Sequence, residues 1–199
     1  ISPGAAIGRR DLRVLSPRGS FLQAFEVGSL PEQVESKDND DWSKPPLVKL
    51  PLVVNGKILS GDYDHFRFYA QAGQLLVFDV NSSRNGTRFD SVLSLLDAEG
   101  NELASQDDFY FDKDSHLEYR FERSGEYVLR VWGYRESGSS FADYRLLMGE
   151  LPSLSGVFPA GGRSGQWVTI TLSGSNLHQV DSLKLNHRAV RSEIIDKSP

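Results

Sequence analysis

The sequence contains no cysteine, which excludes disulfide frameworks, thiolate-held zinc and cysteine nucleophiles. It has no run of about 18 apolar residues, the length a membrane-spanning helix needs. It has no basic block, and the formal net charge is -5. Nucleic-acid binding asks for a basic stripe and is set aside. No segment carries sustained helical periodicity. There is no HExxH, no GxSxG and no pair of acids implied to face across a cleft, so the usual hydrolytic constellations are missing. The chain starts at Ile1 with no Met and no signal peptide and stops in "DKSP" without a capping element. It therefore reads as a piece of a longer protein. Its 199 residues suffice for one sizeable core plus a smaller one.

What is present is strand signal. "HFRFYA" alternates Phe66, Phe68 and Ala70 with His65, Arg67 and Tyr69. "HLEYRFE" puts Leu117, Tyr119 and Phe121 on one face, "EYVLRVW" does so with Tyr127, Leu129 and Val131, and "WVTITL" with Val168, Ile170 and Leu172. A period of two in aromatic and β-branched residues predicts half-buried strands. "QLLVFDV" and "SVLSLL" are apolar on both faces and read as central strands. Turn residues recur at short intervals in "VNGK", "QAGQ", "SRNGT", "DAEGN", "RSGE" and "ESGSS". Many short strands at this spacing predict an all-β, antiparallel sandwich or barrel. Two shifts in composition mark boundaries: the acidic, Pro-bearing stretch 29–51 and the Gly/Pro/Ser-rich stretch 149–166. They divide the chain into 1–28, 29–150 and 151–199. The first piece reads as two strands around a Pro-Arg-Gly turn, the last as two or three strands.

In this order, "LPLVVNGKILSGDYDHFRFYAQAGQLLVFDV", "DSVLSLLDAEGNELASQDD", "GEYVLRVWGY" and "YRLLMGE" resemble the bacterial pre-peptidase C-terminal domain over roughly Leu30 to Glu150. The resemblance implies a jelly-roll-like β-sandwich, similar to the collagen-binding modules of clostridial collagenases. Such domains are non-catalytic accessory modules of secreted or surface proteins. "LPSLSGVFPAGGRSGQWVTITLSGSNL" resembles the opening strands of an Ig-like IPT/TIG domain, and "IGRRDLRVLSPRGSFLQAFEVG" looks like the closing strands of another. Large planctomycete-type secreted proteins alternate these modules. Each Ig-like half leaves unpaired sheet edges. The two flanks are expected to complete each other, within one chain or as a strand-swapped homodimer.

The resemblance also implies a calcium site. In the related modules an acidic segment before the first strand and acids in the "SGDYDHF" turn hold the ion. The matching positions here are Glu35, Asn39, Asp40, Asp62 and Asp64. Lys37 stands where the pattern has a further carboxylate, and its ammonium repels a cation. The competing reading is a solvated linker and a turn whose Asp caps backbone N–H groups. A second acidic loop, "SQDDFYFDKDS", carries Phe109, Tyr110 and Phe111. Exposed, these rings would stack on a sugar or peptide. Aromatics are more often recruited to a core, so they are expected to fold back on the sandwich. Trp132 and Tyr134, at a strand end, pose the same choice. His65 and His116 fall on outward strand faces and read as surface residues, and none of the four histidines has paired ligand spacing. The expectation is a secreted module, not an enzyme, that binds an extracellular polysaccharide or protein. The alternative is a spacer or folding and secretion aid with no ligand.

Overall fold

The computed structural model describes residues 1–109, 112–180, 182–185 and 188–189. Its centre is an all-β sandwich. One sheet has five strands: β3 (Glu32–Val34), β4 (Leu52–Lys57), β11 (Asp143–Gly149), β6 (Leu75–Asn81) and β9 (His116–Arg120), in that order. The other has four: β5 (Tyr63–Ala70), β10 (Gly125–Gly133), β7 (Ser91–Leu96) and β8 (Glu102–Gln106). From β4 to β11 the chain changes sheet at every step except the β7–β8 hairpin. The named strands pair antiparallel except for β3 on β4, and Leu47 bridges Arg67 of β5 in parallel. Among the described residues the helical content is three short 3-10 turns.

The period-two pattern explains the packing. Phe66, Phe68 and Ala70 of β5 are buried, as are Leu129 and Val131 of β10 and Leu93 and Leu95 of β7. They meet Leu76, Phe78 and Val80 of β6 and Tyr144, Leu146 and Met148 of β11 across the core. Phe68 lies 5.4 Å from Phe78 and 6.0 Å, edge-on, from Phe121. Every residue of β7 is buried, as its apolar run predicts for an internal strand.

The flanks form separate two-stranded sheets. β1 (Gly8–Ser16) and β2 (Gly19–Val27) form a hairpin around Pro17–Arg18. β12 (Ser153–Phe158) pairs with β13 (Thr171–Ser175), and β14 (Lys184–Leu185) with β15 (Arg188–Ala189). Among the described residues no ladder joins the N-terminal hairpin to the C-terminal strands. The strand expected over "WVTITL" is displaced. It begins at Thr171, and Val168 is 47% exposed. Its partner β12 ends at Phe158 opposite Thr171, and Pro159 comes next. A proline cannot donate to a ladder, so the β12–β13 pairing stops there.

Both histidines expected at the surface are covered. His65 is 4% exposed and the His116 side chain 9%. Alternation places them correctly on outward strand faces, but those faces are not free. The segment around Asn39 lies on His65, and the β12–β13 hairpin on His116.

Candidate metal centre and neighbouring sites

The first site starts in "SGDYD". Gly61 takes a positive φ of 75°, which turns the chain between β4 and β5. The β10–β11 loop braces this turn: the Gly61 N–H donates to the Glu136 carbonyl at 3.0 Å and the Ser139 N–H to that of Ile58 at 2.9 Å. Asp62 caps the turn, accepting the N–H of Leu59 at 3.2 Å and of Tyr63 at 3.0 Å. Asp64 then falls on the core-facing parity of β5, with Phe66, Phe68 and Ala70. It stands opposite Val131 of β10 and is 2% exposed.

The acidic stretch is drawn to the same place. Segment 39–48 runs along the edge of β5. The His65 N–H donates to the Asn39 carbonyl at 2.9 Å, the Arg67 N–H to that of Pro46 at 3.0 Å, and the Val48 N–H to that of Arg67 at 2.7 Å. Asn39 is buried and its amide donates to Asp64 Oδ1 at 2.8 Å. The Tyr144 hydroxyl lies 2.6 Å from Asp64 Oδ2 and 3.2 Å from Glu35 Oε2. Glu35 Oε1 accepts the Lys57 N–H at 3.0 Å. One carboxylate oxygen from each of Asp40, Asp62 and Asp64 lies within 4.8 Å of the others. Lys37 is exposed and takes part in no ion pair among the described residues.

The electrostatics follow from burial. Desolvation, the hydrogen bond with Glu35 and the nearby charges push the Asp64 carboxyl up to about 8, against the opposing bond from Tyr144. Burial, and then the Asp64 and Glu35 charges, raise the Tyr144 hydroxyl well above its ordinary value, so it stays a donor. The donor set is all oxygen. The ring of His65 is engaged with the backbone, its Nδ1 3.1 Å from the Asn39 carbonyl. Carboxylates without nitrogen or sulfur suit a hard cation such as calcium rather than zinc. Asp40, Asp62 and Asp64 would be direct ligands, Glu35 a fourth carboxylate beside them, and Asn39 an orienting partner of Asp64.

The aromatic candidates separate. The Phe109 ring lies 4.3 Å from that of His116, while Tyr110 and Phe111 lie outside the described residues. Trp132 stacks on Tyr63 at 5.9 Å, donates Nε1–H to Ser94 Oγ at 3.3 Å, and has Arg130 over its ring at 5.9 Å. Tyr134 is 42% exposed. Trp132 and Tyr134 share a shallow groove of about 310 Å³ with Val92, Ser105, Gln106 and Asp107. Sequence reading missed this companionship because Gln106 and Asp107 lie at the end of a different strand.

Two further arrangements have no sequence signature. A cleft of about 960 Å³ separates β2 from the five-stranded sheet. Its floor is engaged with itself: buried Arg145 pairs with Glu26 and Glu32, and the Asn81 amide donates to Glu26 at 2.6 Å. These bonds fasten the N-terminal hairpin. On the opposite edge, Ser153 Oγ lies 3.2 Å from His116 Nε2, and His116 Nδ1 lies 2.9 Å from Asp79 Oδ1. This is the order of a nucleophilic triad. The wiring differs, because Nε2 also faces Glu118 Oε1 at 3.0 Å. A ring that donates from both nitrogens has no lone pair to take a serine proton.

No family model matches the chain, and no curated protein matches it. Among solved structures it is similar to the pre-peptidase C-terminal domain of collagenase from Bacillus anthracis. The two are 15% identical over 61% of this chain and 99% of that one, with a TM-score of 0.42. It is also similar to Aeromonas hydrophila PliG, a periplasmic inhibitor of g-type lysozyme. There the identity is 13% over 60% of this chain and 96% of that one, with a TM-score of 0.40. At these scores neither likeness decides a family.

Proposed function

We propose that residues 29–150 form a non-catalytic accessory module of pre-peptidase C-terminal type in a secreted or surface protein, stapled by calcium. The observation that carries the reading is the convergence of Asp40, Asp62 and Asp64, one of them buried, on a single point. Three carboxylates repel one another, and burying one adds desolvation. Either a proton or a cation must compensate. When bound, calcium supplies that charge and ties the segment carrying Asp40 to the turn carrying Asp62 and to the core strand carrying Asp64. The chain's own residues set the geometry: Tyr144 and Asn39 orient Asp64, and backbone N–H groups fix Asp62. Calorimetric titration with calcium tests the reading. Saturable heat with one site per chain, absent in Asp62→Asn and Asp64→Asn, supports it. A wild-type chain that takes up no calcium overturns it.

A polymer ligand is the second part of the proposal, located at the groove of Trp132 and Tyr134. An aromatic face beside an amide and a carboxylate, here Gln106 and Asp107, is the composition that holds a sugar ring by stacking and by its hydroxyls. Affinity electrophoresis through gels containing soluble β-glucan, mannan or xylan tests this part. Retardation lost in Trp132→Ala and Tyr134→Ala supports it. Free migration of the wild type through all three gels leaves the spacer reading.

A further inference from the structure

Asp79 of β6 and His116 of β9 stand directly opposite each other, and Glu118 lies two residues on, on the same face. The His116 imidazole sits between the two carboxylates, Nδ1 2.9 Å from Asp79 Oδ1 and Nε2 3.0 Å from Glu118 Oε1. Carboxylates only accept, so both contacts are satisfied only when both ring nitrogens carry hydrogen. The C-terminal hairpin closes over this array. Ser153 of β12 reaches Nε2 at 3.2 Å, and the Ser175 hydroxyl of β13 donates to Glu118 Oε2. Asn176 reinforces the joint, its amide donating to the Leu75 carbonyl at 3.1 Å and to that of Leu151 at 3.0 Å. The Phe109 ring covers another side of the imidazole.

We propose that His116 is a proton-operated latch that fastens the C-terminal hairpin to the sandwich and releases it when the ring loses its proton. A neutral imidazole turns a lone pair toward one of the two carboxylates. That carboxylate, 21% exposed for Asp79 and 29% for Glu118, then loses one of its donors beneath the hairpin, and the less compensated charge favours lifting the cover. The charged groups around the ring are Asp79 on β6, Glu118 on β9, Arg84, which pairs with Asp79 at 3.0 Å and Asp114 at 2.9 Å, and Asp114 itself. From the hairpin, the groups bonded to the ring and to Glu118 are the neutral hydroxyls of Ser153 and Ser175, which carry no charge to replace the proton. Burial of the ring opposes its charge, but the bonds to Asp79 and Glu118 outweigh burial and hold its pKa above the ordinary value. Docking and proton uptake are therefore linked, each favouring the other. Because a His titrates near physiological pH, the angle between the sandwich and the β12–β13 hairpin responds to ordinary changes of acidity.

The test is NMR on the full chain between about pH 5.5 and about pH 9, the range in which a perturbed His titrates. The His116 ring resonances and the residual dipolar couplings of the β12–β13 amides are followed together. The expected result is one transition, with the hairpin sharing the sandwich's alignment at low pH and losing it at the midpoint of the ring titration. Ser175→Ala, which removes the hairpin's bond to Glu118, is expected to lower that midpoint. His116→Gln is expected to abolish the transition. A hairpin whose couplings stay constant across the range, or whose transition occurs at a pH other than that of the ring, overturns the proposal. So does a transition that survives in His116→Gln.

Discussion

Asp64 occupies a position whose neighbours along the same strand face are Phe66, Phe68 and Ala70, and it is as buried as they are. A carboxyl there is tolerated because Asn39 and Tyr144 donate to it. Asp64→Asn keeps acceptor and donor atoms in these places. In chelator it is expected to change unfolding free energy by no more than about 1 kcal/mol, the scale of one exchanged hydrogen bond. In calcium it is expected to lose all stabilisation. Asp114 is a contrasting residue. It is 1% exposed and accepts the N–H groups of Ser82, Ser83 and Arg84 and the Arg84 side chain. Asp114→Ala leaves the buried N–H groups of Ser82, Ser83 and Arg84 without their acceptor, while the guanidinium keeps Asp79, a loss of about 1–3 kcal/mol. Chemical denaturation is expected to read that loss. The two residues differ in how far sequence reveals them. The parity of "DHFRFYA" puts Asp64 inward once the strand is accepted, so its burial was legible. Asp114 sits in a loop with no periodicity, and its role depends on a turn some 30 residues earlier.

At the scale of elements, the strands and their faces follow from alternation, but the segments that cover an outward face do not. His65 and His116 both look solvated on a strand diagram. A segment distant in sequence lies over each, and no local pattern announces it. The acidic stretch shows the same limit: its composition reads as a linker, yet Asn39 is 2% exposed because it pairs along β5. Calcium is expected to tighten this element most. Hydrogen exchange of amides 35–40 and 61–64 is expected to slow at least tenfold on adding calcium, with amides of β7 unchanged. Uniform slowing would place the ion elsewhere. The C-terminal hairpin supplies the pH dependence. His116 has its folded pKa raised, so the stability it contributes is fully present below its unfolded value of about 6.5 and is lost as pH rises through the folded value. A wild-type minus His116→Gln comparison of unfolding free energies is expected to shrink from acid to alkaline pH.

For the whole molecule, the sandwich is a core of aromatic and aliphatic residues that carries two docked hairpins, a cluster of carboxylates at one end and a shallow aromatic groove. In the proposed module the carboxylate cluster binds calcium and thereby clamps the acidic segment to the core. Thermal unfolding in excess calcium and in chelator, on wild type and Asp64→Asn, tests it most directly. A ligand at 100 times its dissociation constant adds about 2.7 kcal/mol, which for a chain of this length is roughly 5–10 °C. A rise of that size in wild type that vanishes in Asp64→Asn is the predicted result. Equal melting temperatures in calcium and chelator would contradict the claim and leave Asp62 and Asp64 as a turn cap and a protonated core residue.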